Sequence, residues 1–264
     1  MTPAIVARLV LHQTRYDLLI FVRNRQSTFF TLALPVIFLF IFASVFGNDT
    51  TKLISGEEIN GATYYVPQIV TLGIVSAAFN NVVGTIITQR ETGILKRRRA
   101  TPVPAWVIVA GRTLSAVLIA LLLVGVLLAV GRVVYGVLLP SNTLPGVVLT
   151  TVVGALALCC VAYAMTTFVS SAESAQPTIQ AITLPMFFIS GVFFPENIVP
   201  RWLLDIANVF PVRHLAQALL VAFNPNTTGN GIHVSHLLIL ALWGIAGMAI
   251  ATRRFTWTSR STGG

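Results

Sequence analysis

Acidic residues are scarce. The chain carries eight Asp and Glu in 264 positions, against seventeen Lys and Arg, and charged residues make up only 9% of it. Soluble domains carry about 25%, so the deficit excludes an ordinary water-soluble globule. Lysine is scarcer still, with Lys52 and Lys96 the only two. Neither follows a glycine, which excludes a Walker A loop and with it P-loop nucleotide hydrolysis by this chain alone. The two cysteines, Cys159 and Cys160, are adjacent inside an apolar run, where they read as packing residues and not as a disulfide framework. No internal repeat or low-complexity linker stands out, and a short apolar core with a small-residue cleavage site, the mark of a removable leader, is not found at the N-terminus.

What is present is apolar. Hydrophobic residues make up 55% of the chain, in long continuous runs and not in alternating ten-residue strands. The expected fold is an all-α polytopic membrane protein with six transmembrane helices, at about 28–47, 64–88, 113–131, 146–169, 175–194 and 232–252. Span three is bracketed by Arg112 and Arg132, and the 19 uncharged residues between them cover about 28 Å at 1.5 Å each, close to one hydrocarbon core. Both arginines are expected to snorkel to the interfaces, with Pro104–Gly111 as the approach. Asn48–Gly61 reads as an exposed loop, Pro140–Pro145 as a turn, and Ser170–Ser174 as a tight polar turn.

Residues 1–27 precede the first span. Arg8, His12 and Arg15 recur at i, i+4, i+7, with Ile5, Leu9, Tyr16 and Leu19 on a neighbouring face, which predicts an amphipathic helix at the membrane surface. The alternative is an ordinary basic flank. Between spans five and six, Pro195–Pro225 is broken by four prolines. Prolines at 200 and 211 suit the first turns of two short helices, each too short to cross, so an outer re-entrant hairpin is expected.

Six spans put both termini on one side. That side holds 13 of the 17 basic residues, the other only Lys52, Arg132, Arg201 and Arg213. The positive-inside rule then makes both termini, including the 253–264 tail, cytoplasmic. The net charge of +9 follows from these topology signals, so no nucleic acid partner is expected. The densest basic stretch is Gln89–Pro104, with Arg90, Lys96, Arg97, Arg98 and Arg99 and one acid, Glu91. It reads either as an anchor against anionic lipid or as a docking knob for a partner.

The run Glu91-Thr-Gly-Ile-Leu-Lys-Arg, continuing to Ala100-Thr-Pro102, resembles the signature of ATP-binding-cassette (ABC) type-2 exporter permeases. Ser190-Gly-Val-Phe-Phe-Pro195, with Pro200-Arg-Trp202 and Asn208-Val-Phe-Pro211, is similar to that family's last extracellular segment. The nearest subgroup is the drug- and lipid-exporting, daunorubicin-resistance-like membrane subunits. Arg98 departs from the pattern, standing where an apolar residue is usual. The resemblance implies a bacterial plasma-membrane permease exporting a hydrophobic or amphipathic drug-like molecule or lipid. It implies no enzyme site and no cofactor on this chain, with ATP and Mg on two partner ABC ATPase subunits. It also implies a cytoplasmic coupling helix, carried by Glu91, Gly93, Leu95, Lys96, Arg97, Arg99, Thr101 and Pro102, and a second permease subunit, like or unlike.

Polar side chains in apolar helices tend to face a cavity or another helix. On that ground Asn80, Asn81 and Thr85 of span two, and Gln180, Thr183, Met186 and Phe187 of span five, are candidates for a substrate path; inter-helix packing is the alternative for each. Met and Phe suit varied apolar cargo. His233 and His236 share a helix face but carry no specific metal spacing, so no metal site is assigned. Arg213 reads as an interfacial anchor, with Asp205 or anionic cargo as alternative partners. An enzyme is disfavoured because no nucleophile, base and acid converge. An ion-coupled carrier is disfavoured because the expected spans hold no Asp, Glu or Lys, and a non-transporting scaffold is the remaining rival. A reporter enzyme fused after Arg99 is expected to be active only in the cytoplasm, and activity confined to the other side would reverse the topology.

Overall fold

The computed structural model describes residues 3–47, 50–52, 58–100, 103–137, 142–224, 226–227 and 229–255. Helix α1 covers Pro3–Arg23 and α2 Arg25–Phe46. Asn24 separates them, its side chain accepting from the Ser27 amide (3.1 Å) and so capping α2. The segment expected as an exposed loop holds instead two short antiparallel strands, β1 (Thr50–Lys52) and β2 (Glu58–Asn60), with Ile59 buried against Tyr64 and Tyr65. Helix α3 runs Gly61–Glu91, α4 Ile94–Arg99, α5 Ala105–Tyr135 and α6 Leu144–Met165. Then come α7 (Ala172–Ile189), α8 (Arg201–Ala207), α9 (Pro211–Phe223) and α10 (Val234–Arg254).

Five of these helices, α2, α3, α5, α6 and α10, are long and apolar enough to cross a membrane. Helix α7 is not among them, because Glu173, Gln176, Gln180 and two prolines dilute it. Its depth is nonetheless fixed by its ends. The Ala172 amide donates to Glu91 at the last residue of α3 (2.7 Å), and Gly191, just past α7, accepts from the Tyr64 hydroxyl near the first (2.7 Å). Helix α7 therefore runs antiparallel to α3, tied to it at both ends. The short helices α8 and α9 meet at 100°. Thr143, just before α6, donates to Ala222 (2.6 Å), and Glu196 meets Arg213, so both ends of α9 are tied to the Tyr64 end of the bundle.

Helix α3 is the centre. Fourteen of the fifteen residues from Gly61 to Val75 are buried, which suits a helix with neighbours on every side. Helices α6 and α10 run parallel in close contact. A Cβ on Gly247 would lie 2.8 Å from the backbone of Cys160 and Val161, and one on Gly244 would lie 3.2 Å from Ala157. Small residues let the backbones meet, and dispersion supplies the attraction. Cys160 belongs to this seam, Cys159 is buried, and both cysteines are free.

Helix α5 begins two turns earlier than expected, so the approach to span three is itself helical and Arg112 sits within the helix. Arg112 does not snorkel: it is 7% exposed, because α1 packs across the first turns of α5 and covers it. Replacing Gly247 with Ile is expected to push α10 off α6 and to cost about 1–3 kcal/mol, read as a lowered melting temperature in nanodiscs. Gly125, which faces open space, tolerates the same change. Equal melting of the two variants would contradict this packing.

Candidate functional site

Arg90, the basic residues of α4 and Arg112 collect at one end of the bundle. Arg90, at the end of α3, is buried and donates to three carbonyls of the α6–α7 turn, those of Thr166 (2.9 Å), Val169 and Ser170 (3.1 Å). The last carbonyls of a helix have no partner of their own, and a guanidinium with five donors fits them. Next to it Glu91 caps the first turn of α7, where the helix dipole favours an anion. Ser171 completes that cap in a box with Ser174. The ends of α3, α6 and α7 are thus tied together by two adjacent residues.

Gly93 turns the chain out of α3 with φ +71°, a left-handed conformation that a side chain would strain. The six-residue α4 follows. Leu95 is buried and seats it, while Lys96, Arg97 and Arg99 are exposed. Arg98 is half-buried and turns toward α1 and α5. Burial lowers its pKa from the ordinary range, Asp17 opposes that shift and Arg112 adds to it. Thr101 and Pro102 lie outside the described residues.

The third partner at this end is α1. Arg112 donates to Asp17 at 3.2 Å, with both side chains under a tenth exposed. Thr14 donates to the Gly111 carbonyl (3.1 Å), and a Cβ on Gly111 would strike Gln13 at 2.6 Å. The face that α1 buries is therefore Thr14, Asp17 and Phe21, while Ile5, Tyr16 and Leu19 stay exposed beside Arg8, His12 and Arg15.

Between α2, α3 and α7 lies a half-open cleft of about 650 Å³, within the range of ligand sites. It begins at the basic end, at Thr88 and Ala172, and reaches Leu34, Ser76 and Gln180. Asn80, Asn81, Thr85 and Gln180 all line it. Thr183, Met186 and Phe187 do not. Thr183 is buried and donates to Ile179 (2.9 Å), and Met186 is half-buried against the core. Phe187 packs on Phe193, 5.8 Å between ring centres, in an aromatic group with Phe42 and Phe188. Two π-helical turns, Phe29–Ala33 in α2 and Ser76–Asn80 in α3, both contribute to the cleft wall. Such turns insert a residue into a helix and are frequent at functional sites. A smaller cavity of about 80 Å³, bounded by Asp17, Arg112 and Ser115, shares Asn24, Ser27, Asn81 and Thr85 with the cleft as a common wall.

At the opposite end Arg213 is no interfacial anchor. It is 5% exposed, pairs with Glu196 (2.8 Å) and donates to Asn208 (2.6 Å). Asp205 is not its partner; the polar loop before α8 supplies the carboxylate. Nδ1 of His214 and of His236 are 2.9 Å apart. Among the described residues no group of His, Cys, Asp or Glu is arranged to hold a metal ion.

Asp17, Arg90 and Ser171 carry much of this geometry and are missing from the candidate residues above. Asp17 had a signal: it is the only acid in the first 48 residues, set in a basic, amphipathic helix. Arg90 had none beyond its charge, because its partners are backbone carbonyls.

The family model described as "ABC-2 type transporter" matches residues 9–224. The probable multidrug ABC transporter permease YbhR of Escherichia coli strain K12 is 24% identical over 152 residues, 58% of this chain and 40% of that protein. The protein of the same name from Escherichia coli O157:H7 aligns equally. The match thus spans less than half the length of these curated relatives.

Removing one member of a buried ion pair leaves the other uncompensated, at about 3–5 kcal/mol, whereas removing both is close to neutral. Asp17→Asn is expected to lower the melting temperature and expose α1 to protease. Asp17→Leu with Arg112→Met is expected to recover most of the loss. Equal damage from both would show that the pair does not hold α1.

Proposed function

The chain belongs to the ABC-2 type transporter family, and we propose that this membrane subunit works in an ATP-driven exporter, moving a hydrophobic or amphipathic molecule outward. The multidrug name of the E. coli relatives supports that cargo class. The observation that carries the proposal is mechanical. The exposed basic helix α4 projects from the point where α3 and α7, two walls of the cleft, are tied together by Arg90 and Glu91. A push on α4 is therefore delivered to those walls.

ATP, hydrolysed with Mg on two separate ABC ATPase subunits, supplies the work. Lys96, Arg97 and Arg99 offer charge to an acidic cleft on such a partner, Leu95 roots the helix, and Gly93 sets its angle. Glu91 acts inward, as the cap of α7. Thr101 and Pro102 belong to the same coupling stretch. Helix α1 lies on the inner membrane surface, with its exposed Ile5, Tyr16 and Leu19 toward lipid. The basic end is cytoplasmic in a bacterial plasma membrane. Gln176 and Gln180 are exposed on α7 at membrane depth. Amides there are ill-suited to lipid, which favours a second permease subunit across that face and a cargo path beside it. Asn80, Asn81, Thr85 and Gln180 line that path from within, and Thr183, Met186 and Phe187 shape the helix that bounds it.

Lys96→Glu with Arg97→Glu and Arg99→Glu reverses the exposed charges without touching the buried Leu95 or Arg90. In pull-downs from native membrane, ATPase activity is expected to accompany the unaltered chain and to fall at least tenfold with the triple variant. Arg254→Glu, at the end of α10, is expected to leave it unchanged. If no ATPase accompanies the unaltered chain, or the triple variant retains it in full, the coupling role is lost.

A further inference from the structure

The cleft is polar without being charged. Its walls carry six carboxamides, Asn24, Gln26, Asn80, Asn81, Gln176 and Gln180, together with several hydroxyl side chains, and none of its lining residues is ionisable. The carboxylate of Asp17 stands behind the Asn81–Thr85 wall and is already engaged by Arg112. The apolar contribution is concentrated in Phe30 and Leu34 of α2. On this basis, and resting on the export reading above, we infer that the cleft binds an uncharged amphiphile whose head is rich in hydroxyl or carbonyl groups, of the glycoside or polyol class.

The chemistry of the amides selects that head. A carboxamide offers two donors and an acceptor with two lone pairs, so an amide-lined wall answers hydroxyls in either direction. Several of these groups are not spent inside the chain. The Asn80 Oδ1 acceptor is buried with no hydrogen-bond partner among the described residues, which is costly unless a ligand or water donates to it. Gln176 lies across Gly84, its Nε2 3.4 Å from where a Cβ would stand. Asn81 and Thr85 are the internally satisfied part of the wall, Thr85 donating to the Asn81 carbonyl at 2.7 Å and to its side chain at 3.0 Å. A cation or an anion entering this cleft would shed water and meet no opposite charge, a loss that dipoles only partly repay. Asn80, at the end of the π-helical turn Ser76–Asn80, and its neighbour Asn81 both stand on the wall.

The test uses three photoactivatable probes with the same alkyl tail: an alkyl glucoside, an alkyl trimethylammonium and an alkyl sulfate. The full chain, in nanodiscs, is cross-linked with each, and the labelled peptides are identified by mass spectrometry. The glucoside is expected to label peptides containing Asn80–Asn81 or Gln176–Gln180, and unlabelled glucoside to compete about tenfold better than either ion, the worth of one or two hydrogen bonds. Gln180→Leu is expected to weaken glucoside labelling about tenfold. Asn80→Asp is expected to turn the preference toward the ammonium probe, a change that mere structural damage would not produce. Cleft labelling by an ionic probe equal to or above that of the glucoside would overturn the neutral-head inference and leave the export reading standing. Failure of all three probes to label the cleft would overturn both.

Discussion

A guanidinium taken out of water must find oxygen atoms, and three arginines in that position decide how the bundle is joined. Arg90 finds carbonyls at the turn between α6 and α7, Arg112 finds Asp17 on α1, and Arg213 finds Glu196 before α8. In each case the charge lies on one element and the oxygen outside it, far away in sequence for Arg90 and Arg112 and on the preceding loop for Arg213. The apolar contacts that make up most of the interior are non-directional and allow helices to slide or rotate. The arginines do not allow it, because a displaced partner leaves a charge bare in a medium of low dielectric. The position of α1, the closure of the α3–α7 ends and the fold-back of α9 all follow from these three requirements.

Five of the six expected spans were legible because their signal is length and hydrophobicity, both local properties. The two short helices starting near Pro200 and Pro211 were legible for the same reason, because proline acts on its own backbone; the break at Asn24 and the left-handed turn at Gly93 were not read from the sequence. Partners were not legible. Arg112 reads as an interfacial residue until α1 is laid across it, and α1 shows a basic face and an apolar face in sequence while burying a third, polar one at Thr14 and Asp17. The same limit applies to the cleft. Asn80, Asn81, Thr85 and Gln180 stand out as amides and hydroxyls in apolar runs, but Thr183 and Phe187 stand out equally and are packed inside the bundle. Asn24 and Gln26 were hidden because they precede the first span and come to the cleft only through the capped start of α2.

The basic end brings together the parts that a transmitted force requires. A short helix with exposed cations projects there, a buried leucine roots it, and two adjacent residues fasten the helices behind it. The cleft begins at the same end, so under the proposed export function the coupling helix and the cargo site would lie only a few helical turns apart. The π-helical turns lie in the two walls formed by α2 and α3. Such turns are frequent at functional sites, whereas α6 and α10 meet backbone to backbone at Gly244 and Gly247.

Helix α7 buries only one narrow stripe, Ala175, Ile179, Thr183 and Phe187, and is the least apolar of the long helices that reach across the bundle. During synthesis the insertion machinery judges segments by their apolarity as they emerge, and by that measure α7 is a poor candidate for the bilayer. Its two ends are held by Glu91 and Tyr64, both on α3, which is complete about eighty residues before α7 begins. If α7 enters the bilayer, the partners that hold its two ends are already made when it emerges, so a defect in α3 is expected to show as the failure of a different segment to insert.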